Sequence, residues 1–534
     1  MAVNSLFSHN FHDSIELFRD EYSSILSKLN YGDILVVNLP NRFGKTVTTL
    51  KYFNQRKCKI LYLSDRHDQI SEIENGKKIR HWYGLSKICE KREDPFIKSL
   101  INRGLMANII CKFCNCDKSS CIYKEQFELP NDVIVVAPKQ FIPTNYVMDK
   151  YWDAIIIDEN IENSHKIEYT YPLISKGIFN QYSVNYELYK EIGSVISSPQ
   201  SANIVQLKEK ASNSIEELSR LIRKLKKKSN ILKATSEESN LIQYLNNINN
   251  SIEWVSYARK YGPKEHFYKP YLHYAFDLRK EDNSKIIILN TSVNEWIYNK
   301  LAEQYEHQLP QSKFYSKELE NKNSLLLKYT YQKRSCSKSK ITAEEGTLFG
   351  GNYGDEILDM LIKAVSFANN KKLKLGIITF KSLKYEIDRV FGDKIHILSH
   401  FGGHQGSNKF DDVDMLIVIG TYHINPKALY LKYYQITGEH LKDNPAKWNN
   451  SKIINGTLIS LTDNEELNKL KLYKLNEEQG QAIFRSGAHV KKGKIVIIFG
   501  HVPKGIEKSL QYRNFKSKNQ LLGFLSKYQS IIQT

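Results

Sequence analysis

The sequence predicts an α/β protein with two parallel-sheet domains, the first interrupted by a cysteine-rich metal insertion and by a helical one. Three observations carry that expectation. Apolar runs of strand length alternate with helical stretches before residue 160 and again after residue 370, as in parallel sheets whose strands are joined by crossover helices. The first run breaks at Pro40 and ends in Gly44-Lys45-Thr46, a strand followed by a loop and a helix start. Five of the seven cysteines fall between positions 89 and 121, in a stretch too polar for a sheet.

Taken in order, residues 1–30 read as an amphipathic helix, with Ile15, Leu17, Phe18, Tyr22, Ile25, Leu26 and Leu29 near helical spacing. Gly32 to Leu39 is the first strand and Val47 to Gln55 the helix after the loop. Lys59 to Ser64, Val133 to Ala137, Ala154 to Asp158 and Lys285 to Asn290 are further buried strands. Residues 1–85, 125–160 and 281–305 therefore form the first domain, with residues 86–124 as the cysteine-rich insertion. Over 161–280 the strand pattern gives way to a helical insertion. Ile215, Leu218, Leu221, Ile222 and Leu225 share one helix face there. Arg220, Arg223, Lys224, Lys226, Lys227 and Lys228 share the other. A second helix starts at the capping box Thr235–Glu238 and runs through Val255 to Gly262-Pro263. Residues 306–354 read as a linker because they are polar and Gly346 to Gly354 holds four glycines. Residues 355–534 form the second domain, with strands at Leu373–Thr379, Ile395–Leu398, Met415–Gly420 and Lys494–Gly500.

The chemistry concentrates in two places. The first N–H groups of a helix lack intrahelical partners, and with the positive end of the dipole they bind anions. Pro40, Asn41, Arg42, Phe43, Gly44, Lys45 and Thr46 would wrap the phosphates of a nucleotide, with Lys45 on the outer phosphates and the Thr46 hydroxyl on Mg2+. Leu39 stands where such loops carry a glycine. Asp158 and Glu159 end an apolar strand, on the edge where open α/β sheets bind ligands. Asp158 would hold the Mg2+ through water and Glu159 would polarise the attacking water. The second place is Cys89, Cys111, Cys114 and Cys121. Only Cys111-Lys112-Phe113-Cys114 has the two-residue gap that lets two thiolates grip one metal; Cys89 and Cys121 are the best remaining pair, with Cys116 spare. Zinc and a four-iron cluster both accept four thiolates, and the spacing admits either.

Composition narrows the partners. Lys plus Arg number 77 against 58 Asp plus Glu, a formal charge of +19, which suits a polyanion whose neutralised phosphates release counterions. The aromatic-rich stretch Tyr261 to Tyr274 holds candidate rings for stacking on bases. No run of about 18 apolar residues offers a membrane span. The polar N-terminus lacks a signal-peptide core, and clustered cysteines then point to metal in a reducing compartment, cytoplasmic or nucleoid-associated.

The order of these pieces resembles the superfamily 2 helicases, and within them the XPD/DinG iron–sulfur group. Those proteins carry a four-cysteine domain between phosphate loop and Asp-Glu box, and a helical arch domain after it. Cys121-Ile122-Tyr123 leading to Val133-Ile134-Val135-Val136 is similar to the segment around the group's last cysteine. Ile288-Leu289-Asn290-Thr291-Ser292 stands where such enzymes couple the site to the strand-binding cleft. Leu375 to Lys381 resembles the strand that opens the second motor domain. His400 to Phe410 leading to Asp414-Met415-Leu416-Ile417-Val418 resembles motif V. Gln481-Ala482-Ile483-Phe484-Arg485 resembles motif VI, whose arginine enters the neighbouring site as a finger. The box continues Asn160-Ile161 rather than Ala-His, and Phe484 replaces glycine. The resemblance implies two RecA-like motor domains, ATP and Mg2+ as cofactors and a 4Fe-4S cluster on Cys89, Cys111, Cys114 and Cys121, with zinc as the alternative. It further implies catalytic roles for Gln481 and Arg485, and a helicase that couples ATP hydrolysis to movement along single-stranded DNA. The rival expectations are a non-catalytic nucleic-acid-binding protein on a degenerate helicase scaffold and an ATP-driven remodeller with a zinc site.

Overall fold

A computed structural model of the chain describes residues 10–39, 44–64, 79–102, 107, 110–111, 114, 121–130, 133–141, 147, 150–158, 166–169, 253–255, 264–267, 284–290, 295–304, 313–316, 324–330, 336–342, 349–404, 408–437 and 450–528. Seven short runs of the first half, most of them rich in Ile, Leu and Val, become strands of one seven-stranded sheet. They are β1 (Ile34–Asn38), β2 (Ile60–Ser64), β3 (Ile79–His81), β4 (Ile134–Pro138), β5 (Ala154–Asp158), β9 (Lys285–Asn290) and β10 (Lys313–Ser316). Their spatial order is β10-β1-β9-β5-β2-β4-β3, and every pairing is parallel. Parallel strands need both faces covered. Leu35, Val37, Tyr62, Ile156 and Leu289 accordingly pack under helix α1 (Asn10–Ser27) and helix α2 (Lys45–Gln55), through Tyr22, Leu26, Leu50 and Phe53. On the other face Val36, Leu61, Val135, Ile155 and Ile288 are equally buried.

Between β5 and β9 the described residues hold β6 (Lys166–Tyr169), β7 (Glu253–Val255) and β8 (Lys264–Phe267), a small antiparallel sheet in the order β6-β8-β7. This corrects the helical reading of 161–280 at those positions. Trp254 and Val255 suit a pleated surface, and pairing with Glu265 and His266 on β8 outweighs the helical spacing read through Val255. Most of the expected arch, including its basic helix face, lies outside the described residues.

The linker reading of 306–354 is also corrected. Residues 313–316 are the edge strand of the first sheet. Leu325-Leu326-Leu327-Lys328-Tyr329 is β11 (Leu325–Tyr329), the strand that opens the second domain. The second sheet adds β12 (Leu375–Thr379), β13 (Ile397–His400), β14 (Met415–Ile419), β17 (Ile495–Phe499) and β18 (Gln511–Phe515), in the order β13-β12-β14-β17-β11-β18 and again parallel throughout. Its faces are covered by helices Gly351–Asn370, Lys381–Phe391 and Lys518–Tyr528 on one side. The end of helix Glu465–Phe484 covers the other. The two expected parallel-sheet α/β domains are thus present. Helix Glu295–Gln304 of the first lies against helix Pro426–Thr437 of the second. Among the described residues no helix is long and apolar enough to cross a membrane.

A hairpin absent from the sequence reading, β15 (Asn450–Ile454) with β16 (Thr457–Leu461), leans on this second sheet. Its turn is Asn455-Gly456, with φ +48° and +70°, the type I′ geometry in which Asn-Gly matches strand twist. Lys328, buried on β11, donates its ammonium to the Asn455 carbonyl and, at 3.0 Å, to the Thr457 hydroxyl. Burial lowers Lys328 to about 8. Burial likewise lowers His501 to about 3, with nearby Lys328 and His423 pushing the same way; its Nε2 meets Asn476 Oδ1 at 2.8 Å.

The pH dependence follows. Above the ordinary imidazole range neither folded nor unfolded chain holds the His501 proton. Below pH 6.5 the unfolded chain binds it and the folded chain does not, so stability falls as pH drops toward about 3. At pH 5.5 this costs about 1.4 kcal/mol against pH 8. Urea unfolding at the two pH values, with His501→Gln losing that share of the difference, checks it; an identical pH response in the variant counts against it.

Candidate nucleotide site and cysteine cluster

The end of β1 delivers the chain to Gly44, which sits at φ +75° and caps α2. That left-handed conformation is nearly free for glycine and strained for a residue with a Cβ. A Cβ at this position would also come within 3.3 Å of the Arg19 guanidinium, which places α1 over the start of the loop helix. The α2 ladder begins with Thr48 N donating to Gly44 O at 2.8 Å. Lys45 is buried at 6% exposure, and its ammonium donates to the Leu39 carbonyl at 3.2 Å, so it turns back over the mouth of β1. Thr46 is half-buried beside it. Pro40, Asn41, Arg42 and Phe43 lie outside the described residues.

Asp158 ends β5 and is 8% exposed, and the Tyr62 phenol donates to its Oδ2 at 2.6 Å. Glu159 lies outside the described residues. Loop and carboxylate are not on neighbouring strands, because β9 runs between β1 and β5. Because all three strands are parallel, Gly44-Lys45-Thr46 and Asp158 still end on the same carboxyl edge of the sheet. Asn290, buried at the end of β9, stands between them, and its neighbours Thr291 and Ser292 lie outside the described residues.

In the second domain Gln481 and Arg485 fall in the last turn and at the C-cap of helix Glu465–Phe484, at 4% and 6% exposure. Arg485 is therefore a buried arginine, not one on an open helix surface. Five residues on, Val490 packs against the core of the first domain, so the chain leaving Arg485 reaches across to that domain. Earlier on the same helix, Glu478 accepts from the Gly402 amide and lies 3.7 Å from His404 Nδ1. Gln479 accepts from Tyr422 N and donates to Gly420 O, both at 3.0 Å. These two side chains tie the loops after β13 and β14 to the arginine-bearing helix. Sequence reasoning passed over them, although the run Glu477-Glu478-Gln479 in an otherwise buried helix is the signal that polar partners wait there. It also passed over Arg19 and Tyr62, whose roles depend on packing alone.

The cysteine segment hangs from the β3–β4 edge of the first sheet. Trp82 donates its indole N–H to the Gln126 carbonyl at 2.8 Å and stacks edge-on against Phe127 and Trp152. Helix Leu85–Ile88 contacts both Pro95–Asn102 and Ile122–Glu125. Cys89 ends the first of these and Cys121 caps the last. Asp94 caps Pro95–Asn102, accepting from Phe96 N and Ile97 N at 3.0 and 3.1 Å. As a result Cys89, Cys111, Cys114 and Cys121 line one small cavity with Leu85, Ile110 and Lys124. Burial raises the Cys111 thiol to about 11, with Cys121 adding to it and Lys124 opposing. Burial also raises Cys89, and Cys114 and Cys121 contribute.

Four soft donors from three backbone segments, with a cation beside them, suit a four-thiolate metal or cluster. Among the described residues no three His, Cys, Asp or Glu side chains are arranged to hold an ion as they stand. The shared cavity is therefore the observation that bears on a metal here. Cys116 lies outside the described residues, Cys58 is half-buried, and Cys336 is buried in the second domain, sulfur 2.8 Å from the Tyr353 hydroxyl.

No protein-family model matches the chain, and no curated protein matches it. Among solved structures it is similar to Xpd4 of S. tokodaii at 12% identity and a TM-score of 0.48, over 93% of this chain and 100% of that one. It is similar to a truncated XPD at 13% identity and a TM-score of 0.33, over 58% of this chain and 100% of that one. Dbp5 of S. cerevisiae, solved with RNA and ADP–beryllium fluoride, is similar at 6% identity and a TM-score of 0.34, over 93% of this chain and 88% of that one. At these identities and scores the likenesses carry no chemistry to this chain, whose site rests on its own residues.

Proposed function

We propose that the chain is an ATP-driven motor that binds single-stranded nucleic acid, DNA in our reading, and couples hydrolysis to movement and unwinding. The observation that carries it is one carboxyl edge presenting a glycine-capped Lys45-Thr46 helix start and the buried carboxylate of Asp158. That pairing binds a triphosphate and its Mg2+: amides and Lys45 on the phosphates, Thr46 and Asp158 toward the metal, Glu159 on the attacking water. Arg485 supplies a second-domain cation, so closure of the domains completes the site. The +19 charge supplies the electrostatic affinity for a strand.

The deciding experiment is ATP hydrolysis with and without single-stranded DNA over a salt series. Stimulation by DNA that fades as salt rises supports a motor. DNA binding without any hydrolysis supports the non-catalytic scaffold, and neither activity removes the reading.

Cys89, Cys111, Cys114 and Cys121 hold, in this proposal, a 4Fe-4S cluster that pins the insertion, which places the protein in a reducing compartment, cytoplasmic or nucleoid-associated. Ligating thiols bind as thiolates, so loss of one ligand removes much of the folding free energy the metal contributes. Cys111→Ser is expected to lose the visible absorbance and bound iron and to expose residues 86–124 to protease, while Cys58→Ser and Cys336→Ser keep both. Iron and zinc analysis of purified protein checks this; one zinc and no iron replaces the cluster with a zinc site on the same ligands.

A further inference from the structure

The buried phenol of Tyr62 has no place in the phosphate loop or the Asp-Glu box, yet it touches the carboxylate expected to serve the metal. We infer that Tyr62 is a positioning residue for Asp158 that sets the divalent-cation requirement of the nucleotide site, an inference that rests on the ATP reading above.

The geometry begins with sheet register. On adjacent β2 and β5, Tyr62 lies opposite Ile156. Side chains alternate along a strand, so Ile156 and Asp158 share the face on which Tyr62 stands. Asp158 is then the diagonal neighbour, a separation an aromatic side chain spans. The Tyr62 ring is fully buried in the cluster that contains Leu50 and Phe53 of α2, the helix that begins at Lys45. Its aim is therefore set by the packing that also seats the phosphate-loop helix. From there the hydroxyl donates to Asp158 Oδ2 at 2.6 Å, within the range of charge-assisted O–H···O⁻ bonds, which are roughly twice as strong as neutral ones.

Such a bond does two things for a metal-facing carboxylate. It fixes the carboxylate plane, which a terminal torsion otherwise leaves broad. It also stabilises the ionised form, the form that receives a hydrated cation. Outer-shell partners of this kind change metal affinity by roughly 10- to 100-fold when removed. A purely structural role for Tyr62 would instead be felt as lower stability, with the cation requirement unmoved.

The test is Tyr62→Phe, which keeps the ring in its core slot and removes only the donor. Mn2+ binding in the presence of ADP, followed by electron paramagnetic resonance, is expected to weaken about tenfold. The Mg2+ concentration for half-maximal hydrolysis is expected to rise in parallel, with turnover restored at saturating Mg2+. Tyr433→Phe is the control. It removes another buried phenol donor, 3.0 Å from the Glu466 carboxylate in the second domain, and should leave both midpoints alone.

Asp158→Asn closes a cycle, because once the carboxylate is gone Tyr62→Phe should add nothing to the loss of cation affinity. This also keeps the test open should the single Tyr62 variant fold poorly, since the double variant has no lone buried carboxylate. Midpoints within twofold of wild type in Tyr62→Phe, or full additivity in the cycle, overturn the role of Tyr62 and leave the nucleotide site standing. Wild-type protein that binds neither Mn2+·ADP nor Mg2+·ATP overturns both.

Discussion

Lys45→Ala is expected to fold normally and to lose ATP turnover by roughly 10²–10³-fold, the cost of removing one preorganised donor from a site where charge develops. Folding should survive because α2 does not depend on the ammonium: Gly44 starts the helix, and Leu50 and Phe53 anchor it. Binding should weaken with turnover, since the lysine faces phosphate in ground and transition states alike. Glu159→Gln gives the opposite pattern. It should hold ATP as wild type does and turn it over barely at all, because the lost group acts on the attacking water. Fluorescent-nucleotide binding and phosphate release, measured on both variants, check the pair. Normal hydrolysis by either variant removes the assignment.

Arg485→Ala should lose roughly 10³-fold in turnover while binding ATP nearly as well as wild type. A guanidinium is a rigid fork that matches phosphate oxygens and supports charge that builds up during transfer. The position supports this: Arg485 is buried at the end of its helix, and Val490 just beyond it packs on the first domain. The same substitution should spare the second-domain core, because Ala482, Ile483 and Ala488 rather than Arg485 fill it. Single-turnover phosphate release separates the outcomes. Unchanged turnover would transfer the role to His489 or to Arg42, the latter acting from the phosphate loop.

Much of the scaffold was legible. Ala154–Asp158 and Lys285–Asn290 were placed to the residue, since a strand buried on both faces must be a short unbroken apolar run. β11 escaped because a single run of five residues, Leu325 to Tyr329, sits among lysines and asparagines and carries a lysine of its own. The edge strand β18 escaped because a half-exposed strand carries weak apolar patterning, and β10 escaped because Lys313-Phe314-Tyr315-Ser316 is too short and too mixed to stand out as an apolar run. The hairpin turn Asn455-Gly456 is a turn signal that local sequence carries without help from packing.

The sequence by itself determined which residues can do chemistry: the Gly44-Lys45-Thr46 triplet, the carboxylate closing an apolar strand and the four cysteines. Those follow from local rules, where residue type and spacing are enough. Tertiary structure alone decided that β9 separates loop from carboxylate, that Arg19 lies over Gly44, that Tyr62 reaches Asp158, and that Cys89 and Cys121 meet Cys111 and Cys114 in one cavity. Each of these joins segments tens of residues apart or more. Strand order and side-chain aim are set by the summed burial of both sheet faces, a long-range quantity that no short stretch of chain encodes.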